Sequence, residues 1–142
     1  MQTFEYRHTV GFEETNLVGN VYYVNHLRWQ GRCREMFLRQ HAPSIIDELS
    51  RGLALVTTRC SCEYLDELKA FDELAIVMHL GHLTQNRVSM RFEYYRVDGA
   101  DRALVARGEQ EIACMARQGE RMVARPFPAE LQAALSRVAQ PG

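Results

Sequence analysis

Two hydrophobic periods follow one another along this chain, and their order is its strongest constraint. One long stretch at helical spacing comes early, and the longer apolar stretches after it repeat every second residue. Between Asn25 and about Gln40, Leu27, Gly31, Arg34 and Leu38 recur at i, i+4, i+7 and i+11, and Trp29, Cys33, Met36 and Phe37 widen the apolar coverage. Such a helix is buried over much of its circumference, and Asn25 stands where a side-chain oxygen could cap its start. Later, Leu74, Ile76, Met78 and Leu80 alternate with Ala75, Val77 and His79, and Val88, Met90, Phe92 and Tyr94 with Ser89, Arg91, Glu93 and Tyr95. Asp98-Gly99 reads as a turn into a strand from about Arg102 to Ala116, and Gln118-Gly119 turns the chain again.

The remaining segments fit around these. Residues 3–10 alternate and predict a first strand, and Gly11 to Asn20 reads as a loop. Pro43 and Ser44 open a short helix through about Arg51 that Gly52 ends, and strand character begins at Leu53. Pro126 and Pro128 precede a short terminal helix, after which the last residues are expected to fray. With no repeat or linker, residues 1–142 read as one domain of the α+β class, a long helix against a curved antiparallel sheet of about five strands. One helix covers one face of such a sheet and leaves its edges open, which predicts a homodimer.

Charge excludes several functions. Seventeen basic against eighteen acidic residues give a net charge of -1, too balanced to favour nucleic acid or an anionic membrane. The N-terminus lacks a signal peptide's basic patch and apolar run, and no stretch approaches a membrane span, so a cytoplasmic protein is expected. Cys33, Cys60, Cys62 and Cys114 lack the paired spacing of a zinc site and are expected to be small buried hydrophobes. His8, His79 and His82 show no metal-ligand spacing either, and the reading requires no metal or cofactor.

Chemistry concentrates between Glu14 and Trp29, a polar loop running into the start of the buried helix. Gly19 suits a turn with positive φ or close approach to a ligand. Free amides at a helix start suit a developing oxyanion. Arg34 lies on an apolar stripe, where a charge needs a partner or a wet pocket. Asn16 could equally bond its own loop, Arg34 could cover apolar surface with its stem, and His26 in the first turn could be packing rather than a base. Thr57 or Thr58 could present a hydroxyl, although threonine is also ordinary strand filling. Glu35 lies on another helix face, within reach of Arg32 and Arg39.

The segment resembles the 4-hydroxybenzoyl-CoA thioesterase family of hot-dog proteins through Glu14, Gly19, Val21, Tyr22, Tyr23, Asn25 and Trp29. Where that family has its catalytic aspartate this chain has Asn16, and the family's aromatic is replaced at His26. Asn16, Gly19, the Val21-Tyr22-Tyr23 run and Arg34 are similar to the thioesterases of enediyne polyketide pathways. That resemblance implies hydrolysis of a polyene, often β-keto, acyl thioester on an acyl carrier protein of an iterative polyketide synthase. It implies Asn16 and Arg34 as the main polar groups at the thioester, with an oxyanion hole of backbone N–H near Tyr23. Gly19, His26 and Thr57 complete the expected substrate-binding set, and the resemblance also implies a dimer of dimers, a homotetramer. A general acyl-CoA thioesterase and a non-catalytic acyl-binding module are the alternatives, and Arg28, Arg32, Arg39 and Arg59 could dock either CoA or an acidic carrier.

Overall fold

The computed structural model describes residues 3–138. The expected fraying of the last residues falls on 139–142, outside the described residues. β1 (Phe4–Thr9) leads through a short 3-10 turn and a polar loop into α1 (Val24–His41) and α2 (Ile45–Leu49). Then come β2 (Leu53–Tyr64), β3 (Glu73–Leu83), β4 (Arg87–Asp98), β5 (Asp101–Gln118), the four-residue β6 (Arg121–Ala124) and α3 (Ala129–Val138). The sheet is antiparallel in the order β1-β3-β4-β5-β2, with β6 paired to the end of β5. The sixth strand exists because the Gln118-Gly119 turn, with Gly119 at φ 63, folds the chain straight back onto β5.

Period two places one row of side chains after another on the inner face. Phe4, Met78, Phe92, Gly108 and Cys62 form one row, and Leu80, Met90, Gln110 and Cys60 form the next. Val88, Ile112 and Thr57 make a third. Across these rows lies α1, with Trp29, Cys33 and Phe37 buried, while Leu131, Leu135 and Val138 of α3 close the far end. The outer face is charged and largely paired, as in Glu5 with Arg102, Arg107 with Glu63, and Arg87 with Glu111. Glu35 pairs with Arg32 at 3.6 Å on the exposed helix face.

Three expectations are corrected. Asn25 does not cap α1: the helix begins one residue earlier, behind Tyr23, without a side-chain cap. The Asn25 amide is drawn inward instead, donating to the Glu14 carbonyl at 2.8 Å. Cys60 is exposed and Cys62 half-buried, because β2 is a sheet edge whose inner face runs past the cover of α1; Cys33 and Cys114 are buried as expected. All four thiols are free. Finally, α2 stops at Leu49, and Gly52, at φ 100, turns the chain into β2.

Candidate active site

The loop before α1 is a tight hairpin whose turn is made by Asn16 and Gly19. The Gly19 amide donates to the Asn16 carbonyl at 3.0 Å, the Asn16 amide donates to Asn20 at 2.9 Å, and Thr15 bridges Val21. Gly19 sits at φ 90, where a side chain would be strained. The Asn16 Oδ1 accepts the Val18 amide at 3.0 Å, so the local bond anticipated for this asparagine is made. Its Nδ2 bonds no described residue and is exposed. An aspartate holding the same amide would leave an oxygen free to accept, whereas Asn16 leaves a donor.

What holds this hairpin to the helix is Glu14. Its half-buried carboxylate accepts the Gly11 amide at 2.9 Å, the Trp29 indole N–H at 2.7 Å and the His8 Nε2 at 2.7 Å. Its carbonyl accepts both Asn25 Nδ2 and the Tyr22 amide. Burial alone would raise the Glu14 pKa, but the donors from Gly11, His8 and Trp29 outweigh it and hold the group below its ordinary value. At the helix start, the Tyr23 amide donates to no described residue. The Tyr23 carbonyl accepts the Tyr64 hydroxyl at 2.7 Å, which steadies the peptide next to it.

His26 lies deeper. Only 3% exposed, it packs among Trp29, Tyr64 and Tyr94, with ring centroids 5.1, 4.7 and 5.6 Å away. Neither ring nitrogen has a hydrogen-bond partner among the described residues. Burial pushes its pKa down to about 4, against an opposing pull from the Tyr23 backbone that falls short of hydrogen-bond geometry. At neutral pH it is an uncharged aromatic of low basicity.

Arg34 sits more than two turns further along α1. Its Nη1 donates to Thr57 Oγ1 at 3.1 Å and to Gln110 Oε1 at 2.7 Å, which uses both hydrogens of that nitrogen. Nη2 and Nε bond no described residue, and no carboxylate among them lies within 4.0 Å of the guanidinium. Burial lowers the Arg34 pKa, with Glu35 opposing, yet a guanidinium stays charged at any relevant pH. Thr57 reaches this position because a bulge at Thr58 interrupts the β2–β5 register, a device that re-aims side chains. Beyond the guanidinium, Leu38, Leu55, Met90, Phe127 and Leu135 close around a cleft of about 10 Å³, room for one water at most. The arrangement is a cation without an ion-pair partner among the described residues, beside a closed apolar cleft. Among the described residues, no group of three or more His, Cys, Asp or Glu could hold a metal ion, and no helix is long and apolar enough to cross a membrane.

Residues 10–135 match the thioesterase-like superfamily. The chain belongs to that superfamily. It is 46% identical to the dynemicin thioesterase, whose crystal structures revealed induced-fit and allosteric effects upon polyene binding; the match covers 99% of this chain and 100% of that one at a TM-score of 0.95. It is 26% identical over 131 residues to the 1,4-dihydroxy-2-naphthoyl-CoA hydrolase of Thermosynechococcus vestitus, covering 92% of this chain and 89% of that one. The 1,4-dihydroxy-2-naphthoyl-CoA thioesterase of Synechocystis shares the fold at a TM-score of 0.85 and 22% identity, over 95% and 96% of the two chains. The hot-dog architecture and α+β class expected from the sequence therefore hold, and the protein is an acyl thioester hydrolase.

Along the chain, Asn16 and Gly19 form the hairpin that leads to Tyr23 at the start of α1, and Arg34 and Thr57 meet at the edge strand β2. Helix rise alone separates the two groups by on the order of 15 Å. Sequence reasoning missed Gln30 and Gln110, which are buried between helix and sheet. A signal existed, since Gln110 shares the inward parity of Gly108, Ile112 and Cys114, and Gln30 falls between His26 and Cys33 on the buried helix face.

Proposed function

We propose that this thioesterase releases a polyene, β-keto acyl chain from the acyl carrier protein of an iterative enediyne polyketide synthase. The observation that carries the reading is the Arg34 guanidinium, which has two nitrogens to spare and no ion-pair partner among the described residues, beside an apolar cleft. The 46% identity to the dynemicin thioesterase over 99% of the chain supports the substrate class. Water attacks the thioester carbon without a carboxylate base. The Tyr23 amide and Arg34 stabilise the oxyanion, Asn16 Nδ2 orients the carbonyl or the water, and collapse breaks the C–S bond, with the thiol taking up a proton derived from water. A β-keto acid released in this way can then lose CO₂.

One thioester cannot touch both groups of a single chain across a separation on the order of 15 Å, so the site combines Asn16 and Tyr23 of one copy with Arg34 and Thr57 of another. Two features support a dimer. β2 is a twelve-residue edge strand with Val56 to Ser61 exposed, and the hairpin tip carries the exposed apolar pair Leu17 and Val18.

The test is steady-state hydrolysis of one long acyl thioester on carrier protein and on CoA, comparing wild type with Asn16→Ala and Arg34→Ala. Loss of one oxyanion donor costs about 10²–10³ in rate. Preference for the carrier-bound substrate with both variants at least tenfold slower is expected. Preference for CoA would favour the acyl-CoA reading that the naphthoyl-CoA hydrolase relative suggests, and unchanged rates in both variants would refute the site.

A further inference from the structure

Gln30 and Gln110 are 0% and 5% exposed, and they form a continuous chain that ends on Arg34. Gln30 Nε2 donates to the Ser61 carbonyl at 2.9 Å, Gln110 Nε2 donates to Gln30 Oε1 at 3.2 Å, and Arg34 Nη1 donates to Gln110 Oε1 at 2.7 Å. The polarity of this chain is forced from both ends. A backbone carbonyl can only accept and a guanidinium can only donate, so turning either amide over would set N–H against N–H or oxygen against oxygen. The opening that lets Gln30 reach the sheet is Gly108. A Cβ there would stand 2.1 Å from Gln30 Nε2 and 2.9 Å from the Ser61 carbonyl.

We infer that Gln110, oriented by Gln30, is a positioning residue that fixes the rotation of the Arg34 guanidinium by holding Nη1 while leaving its charge unneutralised. The inference rests on the reading of Arg34 as an oxyanion donor. A carboxylate would pin the same nitrogen at least as firmly, but it would cancel the charge that the transition state needs. The amide holds Arg34 without quenching it, and Nη2 and Nε stay free.

Gln110→Glu, nearly isosteric, keeps an acceptor for Arg34 Nη1 while it adds the quenching charge and trades the donor to Gln30 Oε1 for an oxygen, so it removes both parts of the proposed role at once. With a long acyl thioester as substrate, kcat is expected to fall at least tenfold while KM stays within twofold, since the oxyanion exists only in the transition state. Gln110→Met, similar in length without hydrogen-bonding amide atoms, is expected to lower kcat at least threefold and serves if the carboxylate variant does not fold, as judged by its melting curve. In an Arg34→Ala background either substitution is expected to change kcat less than twofold, because the residue it acts through is gone. A full additional loss in that background would assign Gln110 a merely structural role and overturn the inference, as would kcat within twofold of wild type for both variants. Undiminished activity of Arg34→Ala alone would instead overturn the oxyanion reading, and the positioning role with it.

Discussion

Replacing Glu14 by glutamine tests whether the hairpin is held to the helix as described. The carboxylate accepts the Gly11 and His8 donors on Oε1 and the Trp29 indole N–H on Oε2. In Glu14→Gln one oxygen becomes NH₂. If the remaining oxygen keeps Gly11, the new amide faces the indole N–H, donor against donor. Losing a hydrogen bond to a charged group costs about 1.5–3 kcal/mol, and a stranded buried donor adds to that, so the loss should be about 2–4 kcal/mol. For a chain of this size that lowers Tm by roughly 5–15 °C. Trp29 is the only tryptophan, so its fluorescence reports both the local bond and the unfolding transition. The same carboxylate makes the protein acid-sensitive. Because its folded pKa lies below the ordinary 4.5, its stabilisation is complete above that value and is lost as pH falls through the folded pKa. Glu14→Gln should therefore lose stability at pH 7 and show a flatter acid limb. A variant within about 0.5 kcal/mol of wild type, well below the cost expected of a lost charged hydrogen bond, would refute the anchoring role.

Two further perturbations have definite signs. His26 is pushed down to about 4 when folded, from 6.5, so the unfolded chain binds the extra proton between those values and stability is lost as pH falls from 6.5 towards 4, by about 3 kcal/mol at most; His26→Phe should flatten that part of the urea-stability profile, and parallel profiles would exclude the buried imidazole as its source. Gly108→Ala should cost about 2–5 kcal/mol, from overpacking against Gln30 and from the lost bond to Ser61, and a thermal melt within 2 °C of wild type would show that Gln30 has another route to the sheet.

The hydrophobic periods were enough to determine the order of the main elements, because a residue's face on a strand or helix depends only on its spacing. The inward positions Met78, Leu80 and Phe92 and the buried face of α1 could be read directly from alternation. The family resemblance groups Glu14, Gly19 and Trp29, and the positive φ that Gly19 needed was legible in its residue type. Other features depended on partners distant in the chain. Asn25 has the chemistry of a cap, and only the position of the Glu14 carbonyl made it an internal tether. Cys60 has an inward parity, and only the placement of β2 at the sheet edge left it exposed. Spacing predicted that Arg34 would need a partner on its apolar stripe, but whether that partner was charged or neutral was decided in three dimensions. Gln110 lies 76 residues away, and it reaches Arg34 through a helix–sheet contact and an amide polarity that no local pattern encodes.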